Sequence, residues 1–444
     1  MPATEPHGSA PKVNYVLLSA LWFGFSFFWA TLLPLIIPRR VEAIVPAATY
    51  GGQLALLLAV GAIFSALVQV TVGFFSDHTL SSLGRRKPYI LFGIPTALVV
   101  TYAFLAAPSF GVLLLLYCGI QLTLNTASIP YQALLPDNVA QGEHGKAATQ
   151  MGLFSLFGQL AGLVAVAGIA FFAGKSAGGA GGSLTGVFLA YLVVLVALGA
   201  LTILKVPDAP NSTKLFRWHF REGGERSVAR AMFADFLDFD LRSHPDFVLL
   251  WFSRMAIFIG YFTLLPYVYK YVKTTLAVPR PDVWAGILLA AITVGGVAGN
   301  FVIGPRADRV SKKLLIGISL VISALFLVVI ILSHSLVLSI VAGALLGVGW
   351  GGFLAVDWAF ACNLMPRVKT ARYMGVWDIA TLFPQVAGPI AAGLLRDRLY
   401  AWLGAANEGG VYRIVFATIF VWFIVGLAIL RYVREERAAP TLQA

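Results

Sequence analysis

The sequence predicts an all-helical integral membrane protein whose twelve transmembrane helices form two pseudo-symmetric six-helix bundles. The first observation behind this prediction is composition: 59% of the 444 residues are hydrophobic and 12% are charged, against about 25% charged residues in ordinary soluble proteins. The second is a set of twelve apolar stretches, each close to or above the roughly 20 residues that cross a bilayer. The third is a repeat between the two halves of the chain. The composition also excludes a soluble globular enzyme.

The apolar stretches are bounded by charged residues, proline or glycine, which places the helix ends. The first six predicted helices cover residues 13–37, 52–75, 88–106, 110–134, 146–172 and 185–205, and the second six cover 247–272, 283–304, 313–332, 335–361, 371–395 and 411–433. We therefore expect an N-terminal bundle at residues 1–205, a cytoplasmic linker at 206–246 and a C-terminal bundle at 247–444. The first stretch is longer than the apolar part of a signal peptide, so it is expected to remain as the first helix.

Two stretches between the helices differ from the rest. The linker is polar, but four apolar residues recur in it at helical spacing and predict an amphipathic helix: Val228, Met232, Phe236 and Phe239. This helix is either a regulatory element at the membrane surface or a solvated connector between the bundles. The stretch Gly174–Gly186 is rich in glycine and is predicted to be a flexible loop.

The distribution of positive charge predicts the orientation in the membrane. With both termini on one side, the segments of that side carry 22 Lys and Arg residues and the loops of the other side carry 9. Positive residues favour the cytoplasmic side, so we expect a multi-pass protein of the cell membrane with both termini in the cytoplasm. The net charge of +12 is scattered between apolar stretches and lacks the single basic patch of a nucleic-acid-binding protein.

Neither a disulfide framework nor a metal or cofactor site is expected. Cys118 and Cys362 lie inside apolar stretches, whereas the six histidines lie outside them, so these residues do not form a metal-binding cluster. The sequence contains no recognisable Ser/His/Asp or Cys/His arrangement. A membrane enzyme is the alternative from a different class, but the predicted inner loops lack paired catalytic groups.

The two halves repeat a short motif at the end of their second helix. Gly73 and Asp77 close predicted helix 2, and Gly304 and Asp308 close predicted helix 8, at an offset of 231 residues. A pair of prolines that follows helices 4 and 10 has an offset of 230 residues. Transporters are commonly built from such repeated halves, which place a binding site between two bundles.

Each copy of the motif continues into a basic loop and predicts a gating element. The gating candidates are Gly73, Asp77, Gly84, Arg85 and Arg86 in the first copy and Gly304, Asp308 and Arg309 in the second. The glycine before the Asp allows a second helix to approach closely, and the Asp interacts favourably with the positive N-terminal end of a neighbouring helix. We interpret the motif as a latch that breaks and reforms; the alternative is ordinary positive charge at the cytoplasmic surface.

At these residues the sequence resembles the major facilitator superfamily, whose loop between helices 2 and 3 carries this Gly, Asp and Gly-Arg-Arg pattern. The Ser-Asp pair at 76–77 and the Gly-Arg-Arg-Lys-Pro segment at 84–88 resemble more specifically the sucrose/proton symporters and the glycoside-pentoside-hexuronide symporters. The resemblance implies the major facilitator fold, with one central cavity and alternating access. It also implies a sugar or glycoside as substrate, protons as the coupled ion, no cofactor and a monomeric protein.

A second block, in helix 4, extends the resemblance. Residues 125–137 resemble the helix 4 pattern of sucrose carriers, except that Gln132 stands where those carriers usually have Arg. The acidic residues that sucrose carriers have in helix 7 are missing around Tyr261–Pro266. Helices 2 and 4 lack the carboxylates of sodium-coupled relatives that resemble the melibiose carrier, which argues against sodium coupling. A facilitator or exporter of another metabolite or drug is the alternative function on the same fold.

Charged residues inside the predicted helices are the candidates for coupling transport to protons. Such charges are costly in a bilayer and normally mark a partner or an ion pathway. Asp357 in helix 10 and Asp378 in helix 11 are the acids within the predicted spans, and Arg254 lies at a similar depth in helix 7. We expect one of these Asp residues to take up and release a proton as its surroundings change. The alternative is a static salt bridge between helices 7, 10 and 11.

Polar and aromatic residues at mid-helix are the candidates for binding the substrate. A sugar offers hydroxyl groups to Asn, Gln and Asp side chains and apolar faces to Trp and Tyr. By depth in the helices, the candidates are Trp29, Asn125, Gln132, Gln159, Tyr261, Asn300, Trp350, Trp377 and Gln385. Most polar side chains of this kind serve helix-to-helix contacts, so we expect about one in three to touch the substrate.

Overall fold

A computed structural model describes residues 14–139, 144–173, 179–208, 244–307, 309–364 and 370–435, and the regular secondary structure in these ranges is entirely helical. Twelve helices in this part of the chain are long and apolar enough to cross a membrane. They are α1 (Tyr15–Thr31), α2 (Tyr50–His78), α3 (Lys87–Leu105), α4 (Phe110–Asn138), α5 (His144–Ala173), α6 (Gly179–Lys205), α7 (Pro245–Lys270), α8 (Pro281–Ile303), α9 (Lys312–Leu332), α10 (Leu336–Leu364), α11 (Thr370–Leu403) and α12 (Glu408–Leu430). The prediction of twelve helices is confirmed.

The first helix of each half ends in the same unusual way. After Thr31, the chain forms a π-helical turn, Leu32–Ile36, and then a short helix, Ile37–Ile44. After Lys270, α7 also continues into a π-helical turn, Tyr271–Thr275. Single π-helical turns of this kind mark local irregularities that are often associated with function. Their occurrence at matching positions extends the internal repeat beyond the motifs visible in the sequence.

Two helices extend beyond their predicted ends. Helix α11 continues to Leu403 instead of ending at residue 395, because Arg396 and Asp397 pair with each other inside the protein. Helix α6 begins at Gly179, so the loop predicted at Gly174–Gly186 is wrong from Gly179 onward. In a membrane segment, helix formation satisfies backbone groups that have no water to bind. The amphipathic helix predicted at 228–239 lies outside the described residues.

The described helices group into two compact units. The first contains described residues among Met1–Thr31 and Val60–Met232, and the second contains Leu32–Ala59 together with described residues among Phe233–Ala444. Helix α2 therefore contributes Tyr50–Ala59 to the second unit and its remaining residues to the first.

The same helix pairs pack in the two halves of the chain. In the first half, α1 packs against α5 and α6, α3 packs against α4 and α6, and α5 packs against α6. In the second half, α7 packs against α11 and α12, α9 packs against α10 and α12, and α11 packs against α12. Each pair in the first half becomes a pair in the second when six is added to both helix numbers. This agreement confirms the repeat that the sequence predicts.

Glycines on α5 and α10 lie at close helix contacts, as their four-residue spacing predicts. A Cβ atom on Gly351 would overlap the carbonyl oxygen of Gly296, and one on Gly347 would overlap that of Ile292, both on α8. A Cβ atom on Gly158 would overlap the backbone of α1. These glycines therefore allow one helix backbone to pack directly on another, as small residues do in membrane proteins.

Candidate functional site

The charged loop between α2 and α3 is organised around one buried arginine. Arg86 is 4% exposed, and its guanidinium group lies 2.6 Å from Asp77 Oδ1 and 3.1 Å from Asp137 Oδ2. It also donates to the hydroxyl of Ser76, and Arg85 pairs with the same Asp137 carboxylate. The two sequence blocks that carry the family resemblance therefore meet at this point, since Asp137 belongs to the block at the end of α4.

The conformation of this loop is fixed by Asp208, which follows α6. Its Oδ2 atom accepts hydrogen bonds from the backbone N–H groups of Arg86 at 2.7 Å and Lys87 at 2.9 Å. The carboxylate thus caps the N-terminal end of α3, where free N–H groups and the helix dipole favour a negative charge. Gly84 has a φ of +104°, and a Cβ atom there would overlap the Asp208 carboxylate. Gly84 is needed both for its backbone conformation and for the approach of Asp208.

The second copy contains an equivalent cap. Glu435, which follows α12, accepts hydrogen bonds from the backbone N–H groups of Lys312 at 2.7 Å and Lys313 at 3.3 Å at the start of α9. Its carboxylate also bonds the hydroxyl of Ser311, the N-cap residue of α9. The sequence analysis missed both capping acids. An acid shortly after the last helix of each half is the only sequence signal that marks them.

The remaining gating candidates take varied positions. A Cβ atom on Gly73 would have its nearest neighbour at 3.9 Å, and one on Gly304 would have its nearest neighbour at 3.4 Å, so neither glycine is at a tight contact with described residues. Arg309 is exposed. Asp308 lies outside the described residues. The described part of the second latch therefore consists of the capped start of α9.

Asp357 and Arg254 form a buried ion pair in the second unit. Asp357 is 1% exposed, and its carboxylate contacts the guanidinium group of Arg254. Arg254 also donates a hydrogen bond to the hydroxyl of Thr381 at 2.8 Å. The three side chains come from α10, α7 and α11, the helices that carry the predicted coupling residues.

Two aromatic rings enclose the charge of Arg254. The guanidinium carbon lies 4.4 Å from the ring centroid of Phe258 and 4.5 Å from that of Trp377, an arrangement that stabilises a cation away from water. Asp378, the residue after Trp377, is exposed. The structure therefore separates the two predicted acids: Asp357 is buried in the ion pair, and Asp378 lies at the surface.

Two predicted substrate residues stack beside this ion pair. The ring centroids of Tyr261 and Trp350 lie 3.9 Å apart with an interplanar angle of 5°. The Phe258 ring lies 5.4 Å from that of Trp350, so it joins the stacked pair to Arg254. Among the described residues, the buried indole N–H of Trp377 has no hydrogen-bond partner, although buried donors are normally bonded. The cluster thus combines flat apolar faces, an ion pair and a spare donor.

The other substrate candidates are placed less favourably for a common site. Asn125 is 8% exposed and donates to the hydroxyl of Ser65 at 3.0 Å and to the carbonyl of Gln121 at 2.7 Å, so it joins α4 to α2. The remaining candidates are half-buried at Trp29, Gln159 and Gln385 and exposed at Gln132 and Asn300. The structure therefore brings together Tyr261, Trp350 and Trp377.

Twelve membrane-length helices in two copies of one packing pattern, with capped charged loops and a buried ion pair, define a multi-pass membrane protein of the carrier class. The chain belongs to the family of MFS/sugar transport proteins, whose pattern matches residues 48–365. This membership confirms the resemblance to the major facilitator superfamily.

Curated relatives match shorter parts of the chain. Myo-inositol transporter 3 of Cryptococcus neoformans is 30% identical over 151 residues, which cover 34% of this chain and 24% of the relative. The uncharacterized symporter YnaJ of Bacillus subtilis is 32% identical over 108 residues, which cover 23% of each protein. The chain thus aligns with about a quarter of the length of these relatives.

Solved structures match nearly the whole chain. A bacterial homolog of the human lysosomal transporter Spinster, in an inward-facing and occupied conformation, has a TM-score of 0.71 at 14% identity, with 96% of this chain and 97% of that chain covered. A D-xylose-proton symporter has a TM-score of 0.68 at 14% identity, with 95% and 97% covered. At such low identity the comparison shows the fold alone, and it confirms the major facilitator fold.

Proposed function

We propose that this protein is a secondary transporter that moves a sugar or a related polyhydroxylated solute across the cell membrane together with protons, by alternating access. The family of MFS/sugar transport proteins supports transport of a small solute, and the myo-inositol transporter among the relatives supports a polyhydroxylated one. The proposed moving parts are the bundles 1–205 and 247–444, with both termini and the linker in the cytoplasm. The observation that carries the proposal is the buried Arg254–Asp357 pair beside stacked aromatic rings.

Asp357 is the proposed proton carrier. When its carboxylate is charged, Arg254 neutralises it inside the protein, and when it is protonated, the guanidinium group is left against the rings of Phe258 and Trp377. The two states differ by one unit of buried charge, so they favour different arrangements of α7 and α10. Asp378 is exposed and lacks this enclosed setting, which favours Asp357 for the role.

The aromatic cluster is the proposed substrate-binding surface of the second unit. Tyr261 and Trp350 offer flat faces to the apolar side of a sugar ring, and Trp377 offers an indole N–H to a hydroxyl group. Binding sites for small ligands typically combine such apolar walls with a few well-placed polar groups. Asn125 and Gln159 are the proposed polar contacts contributed by the first unit.

The test replaces Asp357 with Asn in purified protein reconstituted into liposomes. Solute uptake driven by a pH gradient should fall at least about tenfold, because the variant no longer changes charge, whereas counterflow without a gradient should continue. Asp378→Asn is the matched control and should keep gradient-driven uptake. Unchanged gradient-driven uptake in Asp357→Asn would overturn the proposed role.

An uncoupled facilitator is the second candidate function. Its support is the exposure of Asp357, only 1%, which also fits a static ion pair that ties α7 to α10. The exposed Gln132, where sucrose carriers usually have Arg, points the same way. A facilitator would equilibrate its solute at the same rate with and without a pH gradient, and Asp357→Asn would alter stability rather than coupling.

A further inference from the structure

A second set of buried charges lies at the end of α2 opposite Asp77. It consists of a glutamate from the short helix after α1, a lysine from α7, two consecutive residues of α11 and the first residue of α12. We call these five residues the Asp397 network: Glu42, Lys270, Arg396, Asp397 and Glu408. All of them belong to the second compact unit. Predicted helix ends at nearby charges had excluded all five from the membrane spans.

The network is a continuous chain of ion pairs. Lys270 Nζ lies 2.6 Å from Glu42 Oε1 and 3.3 Å from Glu408 Oε1. The Arg396 guanidinium group lies 2.7 Å from Glu408 Oε1 and 3.1 Å from Asp397 Oδ1. The side chains of Arg396 and Lys270 are 0% and 5% exposed. Charges buried to this extent are stable only when paired, and removal of one partner leaves the other uncompensated.

The network is balanced in charge. Lys273 adds a third cation, with its Nζ atom 2.9 Å from Glu42 Oε1, so three cations face three carboxylates. The ring of Tyr50, the first residue of α2, lies 4.9 Å from Lys270 Nζ and 5.4 Å from the guanidinium carbon of Arg396. Removing any one carboxylate would therefore leave a surplus positive charge in an enclosed site.

Asp397 also binds the start of α2 directly. Its two carboxylate oxygens accept hydrogen bonds from the backbone N–H groups of Gly51 at 2.8 Å and Gly52 at 2.7 Å. These N–H groups lie in the first turn of α2, where no helical acceptor exists for them and the helix dipole favours an anion. The bonds are charge-assisted and are therefore stronger than neutral ones.

The backbones of α2 and α11 touch at this cap. A Cβ atom on Gly51 would lie 2.5 Å from the carbonyl oxygen of Gly393 and 2.8 Å from Asp397 Oδ1. A Cβ atom on Gly393 would overlap the backbone of Gly51 and lie 2.9 Å from the Cβ of Ala55. Any larger residue at Gly51 would push α2 away from α11 and lengthen the bonds to Asp397.

We propose that the Asp397 network is a latch that holds the segment Leu32–Ala59 against α7, α11 and α12 and opens once in each transport cycle. The proposal rests on the proposed function, because alternating access requires each end of the helix bundle to open in turn. Helix α2 would then work with two latches. Asp77 lies near its C-terminal end, and Asp397 caps its N-terminal end about 40 Å away along a helix of 29 residues.

The test measures how often a buried reporter becomes accessible, and it needs no substrate. Ala55 is 2% exposed and lies beside the contact of Gly51 with Gly393. The reporter is Ala55→Cys in a chain with Cys118→Ser and Cys362→Ser, reconstituted into lipid nanodiscs and reacted with a polar maleimide. The measured quantity is the labelling rate of the folded, monodisperse protein.

The latch predicts faster labelling when either of its parts is altered. Asp397→Asn and Gly51→Ala should each raise the rate at least about fivefold, in keeping with the loss of a charge-assisted hydrogen bond from the closed form. Arg398→Gln, which changes the exposed neighbour of Asp397, should leave the rate unchanged. Gly410→Ala should also leave it unchanged, since a Cβ atom there meets nothing within 4 Å.

Two results distinguish this proposal from the proposed function. Labelling at the parent rate in both Asp397→Asn and Gly51→Ala would overturn the latch, and if one variant fails to fold, the other decides alone. If no solute is transported while the labelling rates respond as expected, the latch stands and the proposed function fails.

Discussion

Gly84 and Asp208 are expected to be energetically coupled. Replacing Gly84 with Ala imposes a side chain on a φ of +104°, which costs about 1–2 kcal/mol. The new Cβ atom would also overlap the Asp208 carboxylate and displace it from the backbone N–H groups of Arg86 and Lys87. Loss of such a helix cap costs about 2 kcal/mol. Gly84→Ala should therefore lower the free energy of unfolding by about 3–4 kcal/mol.

The double variant separates the two contributions. Asp208→Ala alone should cost about 2 kcal/mol, because it removes the cap and leaves the backbone of Gly84 unchanged. When both residues are replaced, no carboxylate remains to be displaced, so Gly84→Ala adds only the backbone strain. The double variant should then cost about 3–4 kcal/mol, which is about 2 kcal/mol less than the sum of the single variants.

The assay is chemical unfolding of the purified protein in detergent micelles, followed by the fluorescence of its 10 tryptophans. Four free energies of unfolding, for the parent, the two single variants and the double variant, give the coupling directly. Gly152→Ala is the control, since a Cβ atom on Gly152 meets nothing within 4 Å. Additive single-variant effects would refute the assignment of Asp208 as the residue that requires glycine at position 84.

Two further predictions concern the latch loop and the helix contacts. Asp77→Asn should reduce solute uptake at least about tenfold while the protein remains folded and inserted, because Arg86 keeps its ion pair with Asp137; wild-type turnover would show that the loop is not a gate. Gly351→Ala should lower the thermal unfolding midpoint by several degrees, since α10 must move away from Gly296 of α8. A midpoint equal to that of Gly152→Ala would contradict this packing.

Much of the fold follows from the sequence because the bilayer imposes simple rules. A helix must be apolar and about 20 residues long to cross it, so composition and length predict all twelve helices. The glycine spacing on α5 and α10 predicts their contacts because close helix packing requires small residues on one face. The offset between Asp77 and Asp308 predicts the repeat because duplicated halves keep their motifs in register.

The site follows less well from the sequence because charge does not always end a membrane helix. Arg396 and Glu408 were taken as boundaries, yet each lies in an ion pair that allows a buried charge within the helices. Pairing also decides between the acids of α10 and α11, since Asp357 contacts Arg254 and Asp378 is exposed. Helical spacing alone does not show which face of each helix meets another. Asp208 was missed because its partners are backbone N–H groups, which leave no mark in the side-chain pattern.

Solute accumulation in proteoliposomes tests the central claim most directly. Purified protein would be challenged with a panel of labelled sugars and polyols, with and without an inwardly directed proton gradient and with an uncoupler as control. If a buried carboxylate couples protons to a polyhydroxylated solute, at least one member of the panel should accumulate above its external concentration only while the gradient lasts. Equal uptake with and without the gradient, or no uptake of any member, would contradict the account.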